Sequence, residues 1–172
     1  YEPNRGHLYS TACYLDNPNA LGERTFGIFY EESGTGFRLK SDGVLYALIR
    51  TTRGGVTTDS EFPINTTGID LSKGNTYDIQ FQWRGVGNYY FFINNSLVHT
   101  FQILGSLAEL SIFNPACPVA FECINQGNDV VMYCGCVDIS IEGGGVDGKT
   151  YGSVGVNNAE GDIEVIGFNI FI

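Results

Sequence analysis

A strict alternation of apolar and polar residues over residues 77–84 is the feature that most constrains the fold of this chain. The segment reads Tyr-Asp-Ile-Gln-Phe-Gln-Trp-Arg, so in a strand the odd positions project to one face and the even positions to the other. A helix would scatter these residues around its axis, whereas a half-buried strand places the four apolar side chains together. We therefore predict a strand whose core-facing residues are Tyr77, Ile79, Phe81 and Trp83.

Turn residues on either side of the next strand predict an antiparallel meander. Residues 84–88 contain two glycines and separate the first strand from a second over residues 89–93. Asn94 and Asn95 then lead to a third strand over residues 96–101, and asparagine tolerates the positive φ that a tight two-residue turn requires.

The rest of the chain repeats this pattern of short strands and turns, and no segment favours a helix. Further strands are predicted within residues 26–50, 119–141 and 163–170, which brings the total to roughly ten to twelve. Strands of this number and spacing are typical of a sandwich. We predict an all-β fold, an antiparallel two-sheet jelly roll.

Length and composition suit one domain with one core. At 172 residues with 43% hydrophobic residues, the chain can bury enough apolar surface without staples. We predict a single sandwich over residues 1–172, with an N-terminal arm or edge strand over 1–24 and a glycine-rich loop plus closing strand over 145–172. Residues 52–69 and 143–161 are predicted loops. Because the chain starts with neither a signal peptide nor a methionine, we expect it to be part of a longer polypeptide.

The charge of the chain argues against binding that depends on nucleic-acid phosphates. Nineteen acidic residues against nine lysines and arginines give a net charge of −10 at pH 7, and the basic residues do not cluster. No apolar run approaches the roughly 20 residues that a spanning helix needs. We expect neither nucleic-acid binding nor membrane insertion.

Cysteine usage favours reduced thiols. Five cysteines cannot all pair within one chain, and their spacing matches no regular disulfide framework, so we expect the thiols of a protein assembled in cytoplasm. Cys134 and Cys136 would share one face of a regular strand, which leaves a metal or redox site as a less favoured alternative.

Several short motifs, in one order over residues 25–144, resemble tailed-bacteriophage virion proteins. They read FGIF at 26–29 with GF at 36–37, DGVLYALIR at 42–50, IDLSK at 69–73 leading to QFQWRGVG at 80–87, NPACPVAFECIN at 114–125 and CVDISIEGG at 136–144. The resemblance implies a concanavalin-like, lectin-like jelly roll carried on the particle as a head fibre, capsid decoration or tail appendage, and it implies no catalytic residue. The family pattern has a longer insert where this chain has residues 57–68.

We therefore predict a non-enzymatic structural module located in the virion, a homotrimer that binds other virion proteins. The alternative is an adhesin domain that binds glycans on the host surface, since aromatic rings stack on sugars and Asn, Asp and Gln bind hydroxyl groups. The candidate contact residues are Tyr89, Tyr90 and Arg84. Consecutive tyrosines in a strand alternate, so one of the two must face away from the core.

A glycoside hydrolase is the remote alternative. On one straight strand Asp138 and Glu142 would lie roughly 13 Å apart, beyond the roughly 9.5 Å that an inverting mechanism allows. His99 is predicted to be a packed structural histidine that shares a face with Leu97 and Phe101. We predict no catalytic residue and no cofactor.

A metal site is also disfavoured. Calcium could be held by oxygen ligands in the late loop, but their spacing fits no EF-hand; these residues are Asp147, Asn157, Asn158 and Asp162. We predict no metal.

Overall fold

A computed structural model describes residues 6–82, 87–103, 117–141 and 152–153. Eleven strands lie in these ranges: β1 (Gly6–Tyr14), β2 (Gly22–Phe29), β3 (Gly34–Leu39), β4 (Leu45–Arg53), β5 (Val56–Pro63), β6 (Gly74–Gln82), β7 (Gly87–Ile93), β8 (Ser96–Ile103), β9 (Val119–Asn125), β10 (Tyr133–Ile141) and β11 (Gly152–Ser153). Within these ranges, none of the residues belongs to a helix of the length and apolarity that crossing a bilayer requires.

The strands form two antiparallel sheets. One sheet has six strands in the order β11-β10-β1-β6-β7-β8, and the other has five in the order β5-β4-β3-β2-β9. The inner faces meet in one apolar cluster, in which Tyr77 of the first sheet contacts Phe26 and Phe37 of the second with ring centroids 4.9 Å and 5.2 Å away. The predicted all-β, antiparallel two-sheet sandwich is confirmed.

The alternation over residues 77–82 orients β6 as predicted. Tyr77 and Ile79 are fully buried and Phe81 nearly so, while Asp78 and Gln80 lie on the opposite face and are half-exposed. Trp83 lies outside the described residues. Asp78 and Gln80 therefore point away from the core, two residues apart.

The tight turn between β7 and β8 is also confirmed. Asn94 and Asn95 have φ values of 50° and 63°, the left-handed conformation that both positions of this turn type require. The Asn94 side chain accepts a hydrogen bond from the backbone N–H of Thr76 at 3.0 Å and donates one to the Asn75 side chain at 2.8 Å. The turn is thus held against the start of β6.

The N-terminal arm or edge strand predicted over residues 1–24 is corrected. Strand β1 lies inside the six-stranded sheet, paired with β6 on one side and β10 on the other. Its residues alternate between half-buried and buried, with Tyr9, Thr11 and Cys13 facing the core. The polar Ser10 and Thr11 obscured this alternation, because they supply backbone pairing without adding hydrophobicity.

The loop predicted over residues 52–69 is wrong for its first twelve residues. Strand β4 continues to Arg53, Gly54 and Gly55 make a turn with φ values of 57° and 79°, and β5 runs back to Pro63. The sequence of β5 resembles a loop because few of its residues are apolar and few are buried. It forms a strand because an edge strand pairs on one side only and its β-branched residues favour the extended conformation.

A bulge in β10 separates Cys134 from Cys136. Thr11 pairs with Val137 while Cys13 pairs with Cys134, so Gly135 and Cys136 together lie opposite a single residue of β1. Cys134 consequently packs against the core and Cys136 is exposed. The expectation that the two thiols share a face is wrong, because the extra residue reverses the alternation between them.

A second bulge, in β8, corrects the surroundings of His99. Phe91 pairs with His99 but Phe92 pairs with Leu97, so one residue is extra and Leu97 is 55% exposed. His99 itself packs on Phe62 with ring centroids 5.2 Å apart. The packed histidine agrees with the prediction, whereas Leu97 does not share its face. Burial lowers the pKa of His99.

The prediction for residues 145–172 falls almost entirely outside the described residues. Only β11 is described there, paired with β10 through Cys136 and Val137. The predicted closing strand at 163–170 and the candidate calcium ligands are not among the described residues.

Candidate functional site

The outward side of the six-stranded sheet carries polar and aromatic side chains in cross-strand rows. We call this surface the Tyr90 face; its described members include Leu8, Ser10, Asp78, Gln80, Asn88, Tyr90, Phe92, Asp138 and Ser140. The same alternation that buries one side of β1, β6, β7 and β10 places these residues on the other side. All nine are half-exposed.

Tyr90 lies on β7, next to the edge strand β8 of this sheet. It pairs with Gln80 of β6 and with Thr100 of β8, and its hydroxyl accepts a hydrogen bond of 2.9 Å from the Asn88 side-chain amide. This bond restrains the ring without covering it. A half-exposed, oriented ring beside two amide side chains is a suitable platform for a sugar ring with hydroxyl groups at its edge.

A second row crosses the face one pair further along the strands. Ser10 pairs with Asp78 on one side and Asp138 on the other, and Asp78 pairs with Phe92. The Ser10 hydroxyl donates a hydrogen bond to the Asp78 carboxylate, which leaves the other carboxylate oxygen as an acceptor. The two rows together alternate aromatic surface with hydrogen-bonding groups.

The charge on this face is negative among the residues that the structure describes. Asp78 and Asp138 lie on it, while the described lysines and arginines lie elsewhere: in the core, on the other sheet, in the turn after β4, or in the loop before β6. A ligand for this surface therefore needs hydroxyl or other donor groups in place of strong negative charge.

The predicted contact residues separate in the structure. Tyr89 faces the core with 1% of its surface exposed, and its ring stacks on Phe81 at 5.6 Å. Tyr89 is therefore wrong as a contact residue, because the alternation that turns Tyr90 outward turns its neighbour inward. Tyr90 stays a predicted contact residue, and Arg84 lies outside the described residues.

Sequence reasoning missed most of the Tyr90 face. Asp78 and Gln80 were detectable, since they are the outward positions of the best alternating strand. Ser10 and Asp138 were not, because their position beside Asp78 depends on which strands pair and in which register.

The outward side of the five-stranded sheet differs in that its charges are joined to one another. We call it the Arg38 face; its members are Thr25, Arg38, Lys40, Leu48, Arg50, Asp59 and Glu61. Arg38 contacts Asp59 at 2.9 Å and Glu61 at 2.7 Å, and Lys40 also bonds Glu61. Arg50 donates two hydrogen bonds to the Asp59 carboxylate, from Nε at 2.8 Å and from Nη2 at 3.0 Å.

These contacts shift the pKa values of Asp59 and Arg50 in the directions that favour their charged forms. Burial opposes ionisation of Asp59, but hydrogen bonds and charge from Arg50, with the charge of Arg38, hold its pKa below the ordinary value. The hydrogen bond to Asp59 raises the pKa of Arg50, although burial opposes it. Asp59 and Arg50 are therefore both ionised at neutral pH, and each satisfies the other.

The floor beneath this cluster is tightly packed. Thr25 and Leu48 are almost completely buried on the outward side, and Thr25 accepts a hydrogen bond of 3.0 Å from Arg38. Gly27 and Gly36 face each other across β2 and β3, where a Cβ on Gly27 would lie 2.5 Å from the Gly36 Cα. Any residue larger than glycine would force these strands apart.

The described residues provide no metal centre. No group of three or more His, Cys, Asp or Glu side chains within them is placed to hold a metal ion. Of the carboxylates considered for glycoside hydrolysis, Asp138 is on the Tyr90 face and Glu142 is not among the described residues.

The comparisons with known proteins bear on the fold. No protein-family model matches this chain, and no curated protein sequence matches it. A crystal structure of a receptor binding domain is 16% identical with a TM-score of 0.54, over 78% of this chain and 31% of that one. The likeness is one of fold, an antiparallel two-sheet jelly-roll sandwich.

Two further solved structures are similar. The binding domain of botulinum neurotoxin DC, in complex with rat synaptotagmin II, is 14% identical with a TM-score of 0.52 over 79% of this chain and 32% of that one. A Caenorhabditis elegans galectin, LEC-6, is 14% identical with a TM-score of 0.44, over 80% of this chain and 84% of that one. This chain spans about a third of the length of the first two structures. At these identities the likeness concerns the fold alone.

Proposed function

We propose that this chain is a non-enzymatic binding module whose Tyr90 face binds carbohydrate. The observation that carries the proposal is the oriented, partly exposed Tyr90 ring, which lies beside the Asn88 and Gln80 amides on the sheet face that also carries Asp78. In the proposed complex a pyranose ring stacks on Tyr90, and its hydroxyls donate to Asp78 and exchange hydrogen bonds with Gln80.

The similar structures support a binding role. One is described as a receptor binding domain, and the other is the binding domain of botulinum neurotoxin DC in complex with rat synaptotagmin II. In this proposal the sandwich presents the Tyr90 face to a host surface and attaches to glycans there. We propose a neutral glycan as the ligand, because the described charges on this face are carboxylates.

A glycan array followed by calorimetry tests the proposal. The chain is expected to bind a defined set of neutral glycans, and Tyr90→Ala is expected to weaken binding about 5- to 150-fold, since stacking on one aromatic ring contributes about 1–3 kcal/mol. The matched control is Tyr46→Ala, which removes a tyrosine that lies beside Lys40 near the Arg38 face. An array without hits, or equal losses in both variants, contradicts the proposal.

A second candidate is assembly on a bacteriophage particle. The motifs over residues 25–144 resemble virion proteins, and the β8 bulge presents Leu97 to solvent beside Phe92 at the edge of the six-stranded sheet. Apolar side chains on an edge strand favour contact with another chain. In this proposal the module is located in the virion, forms a homotrimer and binds other virion proteins.

Solution mass tests the second candidate. A trimer that dissociates in Leu97→Ser is expected, with Val56→Ser as the control, because Val56 is exposed at 66% on the other sheet. A monomer at all concentrations contradicts self-assembly. Labelling of particles with an antibody raised against the chain tests the location separately.

Non-enzymatic function remains part of the proposal. Asp78 and Asp138 flank Ser10, and two strand spacings place their Cα atoms about 10 Å apart. Both aspartates are partly exposed, and Asp78 already accepts a hydrogen bond from the Ser10 hydroxyl. We expect purified protein to bind glycans without cleaving them; release of reducing ends that is lost in Asp138→Asn would show a hydrolase instead.

A further inference from the structure

Two cysteines are directly opposed across the β1–β10 ladder. Cys13 and Cys134 are Cα partners, and their sulfur atoms are 3.2 Å apart at the inner side of the sheet. Directly opposed residues of antiparallel strands have Cα atoms about 4.5–5.5 Å apart, within the range of about 4.4–6.8 Å found for disulfides. The backbone is therefore already positioned for a bond between these two side chains.

The β10 bulge selects which cysteine is opposed. Without the extra residue, alternation would place Cys134 and Cys136 on one face, and either could approach β1. With it, Cys134 faces Cys13 while Cys136 is exposed on the other side. Cys117 lies elsewhere and donates a hydrogen bond to the Ser33 carbonyl at 3.4 Å.

We propose that Cys13 and Cys134 form a redox site: a cross-strand dithiol that a small-molecule disulfide oxidises to an intramolecular disulfide joining β1 to β10. The Cys134 thiolate attacks one sulfur of the oxidant R–S–S–R, forms a mixed disulfide and releases one thiolate. The Cys13 thiolate then displaces the second. The cysteine pair loses two electrons and two protons, and the oxidant leaves as two R–SH molecules.

The surroundings of the pair make the reduced form persistent at neutral pH. The hydrogen bond between the two thiols and burial raise the pKa of Cys134. Little Cys134 thiolate is present near pH 7, so attack by this sulfur is slow there and accelerates as the pH rises. A chain folded in a reducing compartment therefore keeps the dithiol, and the disulfide forms after transfer to an oxidising one.

Closing the pair stabilises the folded sandwich. The bond links residues 121 positions apart, so it removes much of the freedom of the unfolded chain. It also fastens β10 to β1, the strand that joins it to β6, β7 and β8 in the six-stranded sheet. The melting temperature of the oxidised chain is expected to exceed that of the reduced chain by roughly 5–15 °C.

Thiol counting after refolding tests the proposal. The full chain is refolded with oxidised and reduced glutathione at pH 8.5, denatured with N-ethylmaleimide and weighed by mass spectrometry. Refolding gives the oxidant access to the pair before burial. Five labelled thiols are expected for the reduced chain and three for the oxidised one, with a peptide that links Cys13 to Cys134.

Matched variants complete the test. Cys136→Ser removes the exposed thiol two positions away and is expected to keep both the link and the rise in melting temperature. Cys134→Ser is expected to lose both. Five labelled thiols in refolded wild type, a link that uses Cys136 or Cys117, or a Cys13–Cys134 link without a higher melting temperature would overturn the proposal.

Discussion

The Arg38 face and the Tyr90 face are the two outward surfaces of the same sandwich, and they use polar residues differently. On the Arg38 face the charged groups contact one another, with Asp59 held by two arginines. On the Tyr90 face Asp78 has a hydroxyl partner, and no described cation accompanies it. A satisfied ion cluster has little left to offer a ligand, whereas partly satisfied acceptors beside aromatic rings do.

The difference teaches where function and stability reside in this fold. Removing one member of a partly buried ion cluster leaves its partners without compensation, so changes on the Arg38 face are expected to affect folding. Changes on the half-exposed Tyr90 face leave few buried groups unsatisfied, so they are expected to affect binding.

The largest expected effect is on the stability of the Arg38 face. Arg38→Met removes one of the two cationic partners of both Asp59 and Glu61, at a side chain that is 10% exposed, and we expect unfolding free energy to fall by about 2–4 kcal/mol. Urea denaturation followed by circular dichroism measures it. Lys73→Met breaks an exposed pair with Asp70 and should cost less than about 1 kcal/mol; equal losses would remove the distinction.

The second prediction compares the neutralisation of one carboxylate on each face. Asp78→Asn keeps an acceptor for Ser10, so we expect stability within about 1 kcal/mol of wild type and a glycan affinity reduced roughly tenfold. Asp59→Asn should do the opposite, with unfolding free energy lowered by about 1–3 kcal/mol and unchanged affinity. Calorimetry and urea denaturation on both variants would show a crossed pattern; parallel changes would contradict the assignment.

The third prediction concerns acid. Because the folded pKa of Asp59 is lowered, its contribution is complete above the unfolded pKa near 4 and is lost as pH falls through the folded value. Melting temperatures measured between pH 6 and pH 3 should fall less steeply in Asp59→Asn than in wild type. Asp129→Asn, at an exposed acid outside the cluster, should retain the wild-type slope.

The smallest expected effect is on the stability of Leu97→Ser. The side chain is 55% exposed, so unfolding free energy should change by less than about 0.5 kcal/mol while any self-association weakens. Analytical ultracentrifugation beside urea denaturation checks both. A loss above 1 kcal/mol would mean that Leu97 belongs to the folded core.

Sequence reasoning succeeded where local pattern and structure coincide. The inward set of β6 and the Asn94–Asn95 turn follow from residue type and spacing alone. It failed for β1 and β5, whose threonines and serines give a weak hydrophobic signal; backbone pairing and position in the sheet make them strands.

The sequence by itself determined the class of fold and the side of each strongly alternating strand, because a strand's two-residue period is a local property. Tertiary structure alone decided which residues of different strands become neighbours across a sheet. The neighbours of Ser10, the ion cluster around Arg38 and the opposition of Cys13 and Cys134 all depend on strand order and register. A single extra residue in β10 or β8 reverses the alternation, so no local pattern reveals on which side Cys136 or Leu97 lies.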